Sequence, residues 1–396
     1  MLKGKFIKQV SVLFSGLLMV QIINFIFSLL LPKYVTPPDF ALFGIFTAVV
    51  FILAEIVNAK LDVAVMLGTD DKEAERLVTA AHTFAAGFVL LLIFISLFLV
   101  FYVDKIYVLL PFAVAAYGIH QPVLVRFNQQ EEYKKINTFR FIQVSTTALM
   151  TLTLAILKIK YALIIGFCIG LGIATIYTMY FMPVKLNVQT LIFCLKKYKQ
   201  FPTYGTWSSL LNNLSKNSIP ILLKRFFSAN EVGYYAYATR LLNAPTGMYS
   251  SAISQVYFKN AVSLNPAELK QHTYQLIRMS VLLGIIPSIL ILFFGKSIFL
   301  YLFSPEWANA GVVAQYLILW YFIGIITGPI SVLLDIKYKL KAELFYNLLL
   351  LLLRVMAILL GAYLHNFLLA ILTLSLVGFV MNLILLNYLL YLVNHD

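Results

Sequence analysis

The chain has 396 residues, of which 61% are AVILMFWYC types and only 12% are Asp, Glu, Lys or Arg, against roughly 45–50% and about 25% in ordinary globular proteins. Thirty Lys and Arg face sixteen Asp and Glu, a net +14, and there are only two cysteines, Cys168 and Cys194. These proportions exclude a soluble enzyme, a disordered chain and a disulfide-stapled scaffold, and they predict an all-α polytopic membrane protein.

A hydrocarbon crossing takes about 20 mostly apolar residues. Twelve stretches qualify in chain order: 10–31, 40–56, 83–102, 107–125, 141–157, 161–182, 203–225, 234–256, 281–300, 311–334, 344–363 and 368–391. The first follows Lys3, Lys5 and Lys8, and no small-residue cleavage pattern comes after it. It reads as a retained anchor rather than a signal peptide. With the N-terminus inside, the segments 1–9, 57–82, 126–140, 183–202, 257–280 and 335–343 hold twenty Lys and Arg, and the opposite loops hold five. The excess of cations on the cytoplasmic side therefore predicts an N-in, C-in topology.

The stretch 183–202 places Val188, Leu191, Ile192, Leu195 and Tyr198 at helical spacing beside Lys196, Lys197 and Lys199. That pattern suits a helix lying on an anionic leaflet. It predicts three parts: an N-terminal bundle over 1–182, an amphipathic cytoplasmic connector over 183–202 and a C-terminal bundle over 203–396. A repeat supports the halving. Residues 31–44, LPKYVTPPDFALFG, align without gaps on 223–236, LKRFFSANEVGYYA. Both carry a hydroxyl residue followed three places on by an acid, Thr36…Asp39 and Ser228…Glu231, the pattern of a capping box. Six spans per half is an even number, so the repeats are parallel. Parallel repeats are found in alternating-access carriers.

Five cations fall outside the inside–outside count: Lys216, Lys224, Arg225, Arg240 and Arg354. Lys224 and Arg225 lie at the end of the seventh span, where they can snorkel to the interface. Lys216 lies roughly 13 Å deep at the helical rise, and Arg354 sits mid-span among Leu, Met, Val and Ile. Such residues normally face a bundle interior or a wet cavity, because a central Lys or Arg costs about 2.5–3.5 kcal/mol. Polar stripes accompany them: Gln21, Asn24 and Ser28; Ser209, Asn212, Asn213 and Lys216; Thr239, Asn243, Thr246, Ser250 and Ser254 beside Arg240. Hydroxyls alone read equally well as helix-packing contacts. Asparagines beside a buried cation instead describe a hydrated, cationic lumen suited to an anionic, hydroxyl-rich substrate. Its expected residues are Lys216, Arg240, Arg354, Asn212, Asn213, Asn243 and Asn24.

Glu55 is the one acid within the twelve stretches and His120 lies in the fourth. Both are candidates for ion coupling, although a lone histidine more often packs than relays protons. Pro122, Pro220, Pro245, Pro287 and Pro329 fall within or at the edges of spans, where they bend helices and free carbonyls. No phosphate-cradling GxxxxGK[ST], HExxH or GxSxG motif is present, so the expectation is a carrier rather than an enzyme, without cofactor, metal or nucleic-acid partner.

The stretches 31–44, 204–217 (YGTWSSLLNNLSKN) and 231–245 (EVGYYAYATRLLNAP) resemble bacterial polysaccharide and O-antigen repeat-unit flippases of the multidrug/oligosaccharidyl-lipid/polysaccharide exporter superfamily. The resemblance implies two six-helix bundles and translocation of undecaprenyl-pyrophosphate-linked oligosaccharide across the bacterial inner membrane. It also implies a role in lipopolysaccharide assembly beside other polysaccharide-assembly membrane proteins. Two other readings stand beside it: a multidrug or organic-cation antiporter of the same fold, and a membrane-embedded polysaccharide polymerase. The antiporter would carry a deep carboxylate where this chain carries cations. The polymerase would carry long external loops, which are missing here.

Overall fold

In lipid every backbone polar group must be satisfied within the protein, which leaves the helix as the structure for these apolar runs. The computed structural model describes residues 16, 19–68, 70–99, 104–337 and 339–395, and every regular element among them is helical. The opening of the first expected span and the side chains of Asn212 and Lys216 lie outside the described residues. In chain order the longer helices are α1 (Met19–Lys33, closing in a 3₁₀ turn), α2 (Pro37–Ile56), α3 (Asp71–Leu99), α4 (Leu110–Gln129), α5 (Tyr133–Ile156), α6 (Ala162–Phe181) and α7 (Val188–Lys197). They continue as α8 (Thr206–Asn217), α9 (Ile219–Phe226), α10 (Ala229–Ser263), α11 (Pro266–Leu302), α12 (Ala308–Ile330), α13 (Leu340–Tyr363) and α14 (Phe367–His395).

Nine of these described helices are long and apolar enough to cross a membrane: α2 to α6 and α11 to α14. The protein is therefore an all-helical multi-pass membrane protein. The three remaining expected spans differ for separate reasons. Only 19–33 of the first is described. The seventh is broken at Ser218 into α8 and α9, and Pro220, at the start of α9, supplies no N–H to bridge the break. The eighth is a single helix, α10, of 35 residues, whose Asn, Thr, Ser and Arg content dilutes its apolar signal.

Helix ends also move. The expected cytoplasmic stretch 257–280 is almost wholly helical, because α10 runs to Ser263 and α11 restarts at Pro266. Asn265 caps that restart: its side chain accepts from the Glu268 N–H at 2.9 Å, and Glu268 accepts from the Asn265 N–H at 3.2 Å. In the same way α3 opens at Asp71, twelve residues before the expected apolar run. Its opening residues are polar, and only the run from 83 onward carries the hydropathy signal.

The chain divides into two compact units. The first holds the described residues up to Phe27 and Phe43–Asn217, and the second holds Ser28–Leu42 with Ser218 onward.

In the first unit α5 and α6 approach closely. A Cβ at Gly166 or Gly170 would lie 2.7 Å or 2.6 Å from backbone atoms of Thr151 or Thr147, so glycine is needed at both places. Leu61, Val65, Leu77, Val123, Phe127, Ile136 and Cys194 form a core of this unit. Helix α7 docks on that core: Leu191, Leu195 and Tyr198 pack inward, Glu73 pairs with Lys197, and the Tyr198 hydroxyl donates to Glu73 at 2.7 Å. Val188, Ile192 and Phe193 remain exposed. The expected apolar stripe is thus divided between protein and surroundings.

In the second unit the repeated motifs meet. Thr36 donates through its N–H and hydroxyl to Asp39 at 3.0 and 2.6 Å, and Ser228 does the same to Glu231 at 2.9 and 2.7 Å. The α10 start is a full capping box, since the Glu231 N–H also donates to the Ser228 hydroxyl at 3.3 Å, whereas at α2 the Asp39 N–H donates to the Thr36 carbonyl and only the acid's half of the box is made. Trp307, fully buried, donates its indole N–H to the Pro32 carbonyl at 3.0 Å. It also packs on Phe40 and Tyr237 at ring distances of 5.2 and 4.5 Å. These contacts fasten the start of α2 into the second unit.

Candidate functional site

Two polar clusters stand out, one in each unit, and each is built from helices distant in sequence. In the second unit, α13 carries Arg354 into an aromatic setting, where it is only 4% exposed. Its guanidinium carbon lies 4.6 Å from the Trp320 ring centroid, a cation–π arrangement that an apolar setting strengthens. Tyr235 of α10, Tyr321 of α12 and Tyr346 of α13 are near enough to interact with its charge. Asn243 of α10 is near enough to the Tyr321 side chain to interact with it, so two expected residues, Arg354 and Asn243, lie beside the same tyrosine. The Trp320 indole is itself seated tightly: a Cβ at Gly378 of α14 would lie 2.5 Å from it.

Arg240 lies on α10 one turn from Tyr237 and donates through Nε to the Ser28 hydroxyl at 3.3 Å. Tyr237 donates to the Ser28 carbonyl at 2.7 Å. A serine from the first polar stripe is therefore part of the Arg240 setting, although Asn24 of the same stripe belongs to the other unit, half-buried on α1. Lys224 and Arg225 are exposed at the end of α9.

In the first unit, Phe51, Ala54 and Glu55 of α2, Tyr117 and Gln121 of α4, and Asn213 and Asn217 of α8 line one cavity of about 280 Å³. Glu55 contacts Lys60 through both carboxylate oxygens, at 2.8 and 3.4 Å, and neither side chain is more than one-sixth exposed. Lys60 reaches back to Glu55 because α2 ends in a turn in which Ala59 and Lys60 both take left-handed conformations, φ 47° and 57°. Asp62, buried in the short helix Leu61–Ala64 that follows this turn, also feels Lys60; burial pushes its carboxyl up and Lys60 opposes the shift. On α8 the Asn217 amide donates to the Asn213 side-chain oxygen at 2.9 Å.

The structure therefore brings Glu55, expected as a coupling group, together with Asn213, expected as a lumen residue. His120 stands one ring away. It is 4% exposed, its ring is 5.0 Å from that of Tyr117, and its Nδ1 lies 3.2 Å from the Thr175 hydroxyl. Sequence reading missed Trp320, Tyr235, Tyr321 and Tyr346 around Arg354, and Tyr117, Gln121 and Asn217 around the cavity. Only Asn217 gave a usable signal, at the fourth place after Asn213. Among the described residues no group of His, Cys, Asp and Glu side chains has the arrangement of a metal site.

Comparison with known proteins agrees with this architecture. The fold is similar to that of the lipid II flippase MurJ in an inward closed conformation, with a TM-score of 0.78, 14% identity, and coverage of 95% of this chain and 87% of that one. It is also similar to an inward-facing multidrug resistance MATE transporter of the MOP superfamily, at a TM-score of 0.69 and 12% identity over 96% and 97% of the two chains. A third similar structure is a MOP superfamily transporter from Pyrococcus furiosus, at a TM-score of 0.60 and 11% identity over 98% and 97%. A search of curated protein sequences returned no match. The family model described as polysaccharide biosynthesis protein matches residues 30–312. The match takes in the repeated capping motifs, the cavity of the first unit and Arg240, and the chain belongs to the polysaccharide biosynthesis protein family.

Proposed function

We propose that the protein is a flippase carrying undecaprenyl-pyrophosphate-linked oligosaccharide repeat units across the bacterial inner membrane by alternating access. The proposed layout is twelve spans with both termini inside, in two parallel six-helix bundles over 1–182 and 203–396 joined by the connector 183–202. Lys216, Arg240 and Arg354, with Asn24, Asn212, Asn213 and Asn243, form its cationic, hydrogen-bonding lumen. It would act beside other polysaccharide-assembly membrane proteins, for instance in building O-antigen, and without performing chemistry itself.

The observation that supports this reading best is the setting of Arg354. A guanidinium is kept deep in the second unit against an indole face, with three tyrosines around it. Fixed cations with weakly basic neighbours suit an anionic head group, because the guanidinium offers several donors to phosphate oxygens. Family membership and the likeness to MurJ support the same reading. The buried position of Arg354 weighs against the organic-cation antiporter.

Deletion of the gene tests the reading. Surface polysaccharide should be lost, and lipid-linked repeat units should accumulate on the cytoplasmic leaflet. Normal surface glycan with altered drug tolerance would favour the antiporter instead.

A further inference from the structure

We infer that the cavity of the first unit is a sugar subsite that holds one pyranose ring of the glycan, separate from the cationic cluster that takes the pyrophosphate. This deepens the flippase reading and rests on it. The cavity volume, about 280 Å³, is just under the roughly 300 Å³ at which small-molecule sites begin. That is room for a single pyranose ring, and the rest of a longer glycan would extend out of the open side.

Its walls carry the chemistry that vicinal hydroxyls need. Carboxamides donate and accept at once, and three of them, Gln121, Asn213 and Asn217, come from two helices. The Gln121 side-chain oxygen is buried and accepts no hydrogen bond among the described residues, so an acceptor in the cavity wall awaits a donor. Phe51 and Tyr117, at 6.0 Å and near-perpendicular, present ring surface for the apolar C–H face of a sugar. Glu55 completes the wall.

Glu55 also argues against a cation site. Lys60 already meets both of its oxygens, so its charge is compensated within the protein and its remaining lone pairs are left as hydrogen-bond acceptors. A pyrophosphate is equally poorly served, because a carboxylate faces the cavity. A neutral, polyhydroxylated ring fits both conditions.

Binding to purified protein in nanodiscs tests the inference with two synthetic probes: a polyprenyl pyrophosphate bearing one N-acetylglucosamine, and the same lipid bearing a methyl group in its place. The wild type should prefer the sugar-bearing probe by about tenfold, the worth of one or two hydrogen bonds. Asn217→Leu and, on another helix, Gln121→Leu should each bring that ratio towards one, in preparations that remain monodisperse. Arg354→Ala should weaken both probes and leave the ratio near its wild-type value. A wild-type ratio of one, or a ratio unmoved by both cavity variants, overturns the sugar subsite while the flippase reading stands. Binding of neither probe by the wild type overturns the flippase reading, and the subsite with it.

Discussion

Arg354→Ala is expected to reduce surface glycan at least about thirtyfold, the kinetic equivalent of losing roughly 2 kcal/mol of a desolvated charge interaction. The reduction should occur at an unchanged level of protein in the membrane. Arg354→Lys should keep part of the activity, because it preserves the charge but loses the planar donors and the stacking on Trp320. Arg354→Met separates charge from packing. It refills the volume beside the indole without a cation, so it should be as poor as alanine. Complementation of the deletion strain, read as surface glycan against membrane protein, makes the comparison. Full activity in the Met variant would make Arg354 a packing residue and remove it from the lumen.

Gly233→Leu is expected to yield no folded protein, and Gly233→Ala to cost on the order of 3 kcal/mol or more. A Cβ at this position of α10 would lie 1.9 Å from the Pro37 carbonyl oxygen and 2.5 Å from its carbon. Both are backbone atoms, so no side-chain rotation relieves the clash. The two capped helix starts of the repeat would have to separate. Gly247, on the same helix, has nothing within 4 Å of such a Cβ. Gly247→Ala should therefore stabilise by about 0.5–1 kcal/mol through helix propensity. Thermal unfolding of the two alanine variants in detergent should move in opposite directions. An unchanged midpoint for Gly233→Ala would contradict the close approach.

Much of this could be read from the residues alone. Nearly unbroken apolar runs gave α13 and α14, and the hydroxyl–acid pairs gave the caps of α2 and α10, because both signals are local. Helix ends beyond the hydrocarbon were not legible. The first turns of α3 and the junction at Asn265 are polar, and a hydropathy window treats polar helix as loop. The depth of Arg354 was visible from its leucine neighbours. Its partners were not, since Trp320 and Tyr321 lie 34 and 33 positions away on another helix, and no periodicity links them to it. The cavity was hidden for the same reason. Glu55, Gln121 and Asn217 come from three helices, and the left-handed turn at Ala59 and Lys60 that sends Lys60 back to Glu55 follows no residue pattern that a glycine would have marked.

Purified protein in proteoliposomes should move a lipid-linked glycan without other assembly proteins. Fluorescent polyprenyl-pyrophosphate oligosaccharide is placed in both leaflets, and its accessibility to an added membrane-impermeant quencher is followed over time. Vesicles holding the wild-type protein should expose the inner-leaflet pool to quenching, while empty vesicles and vesicles with Arg354→Ala should keep about half of the signal protected. A protected fraction that is the same with and without the wild-type protein would contradict the flippase reading.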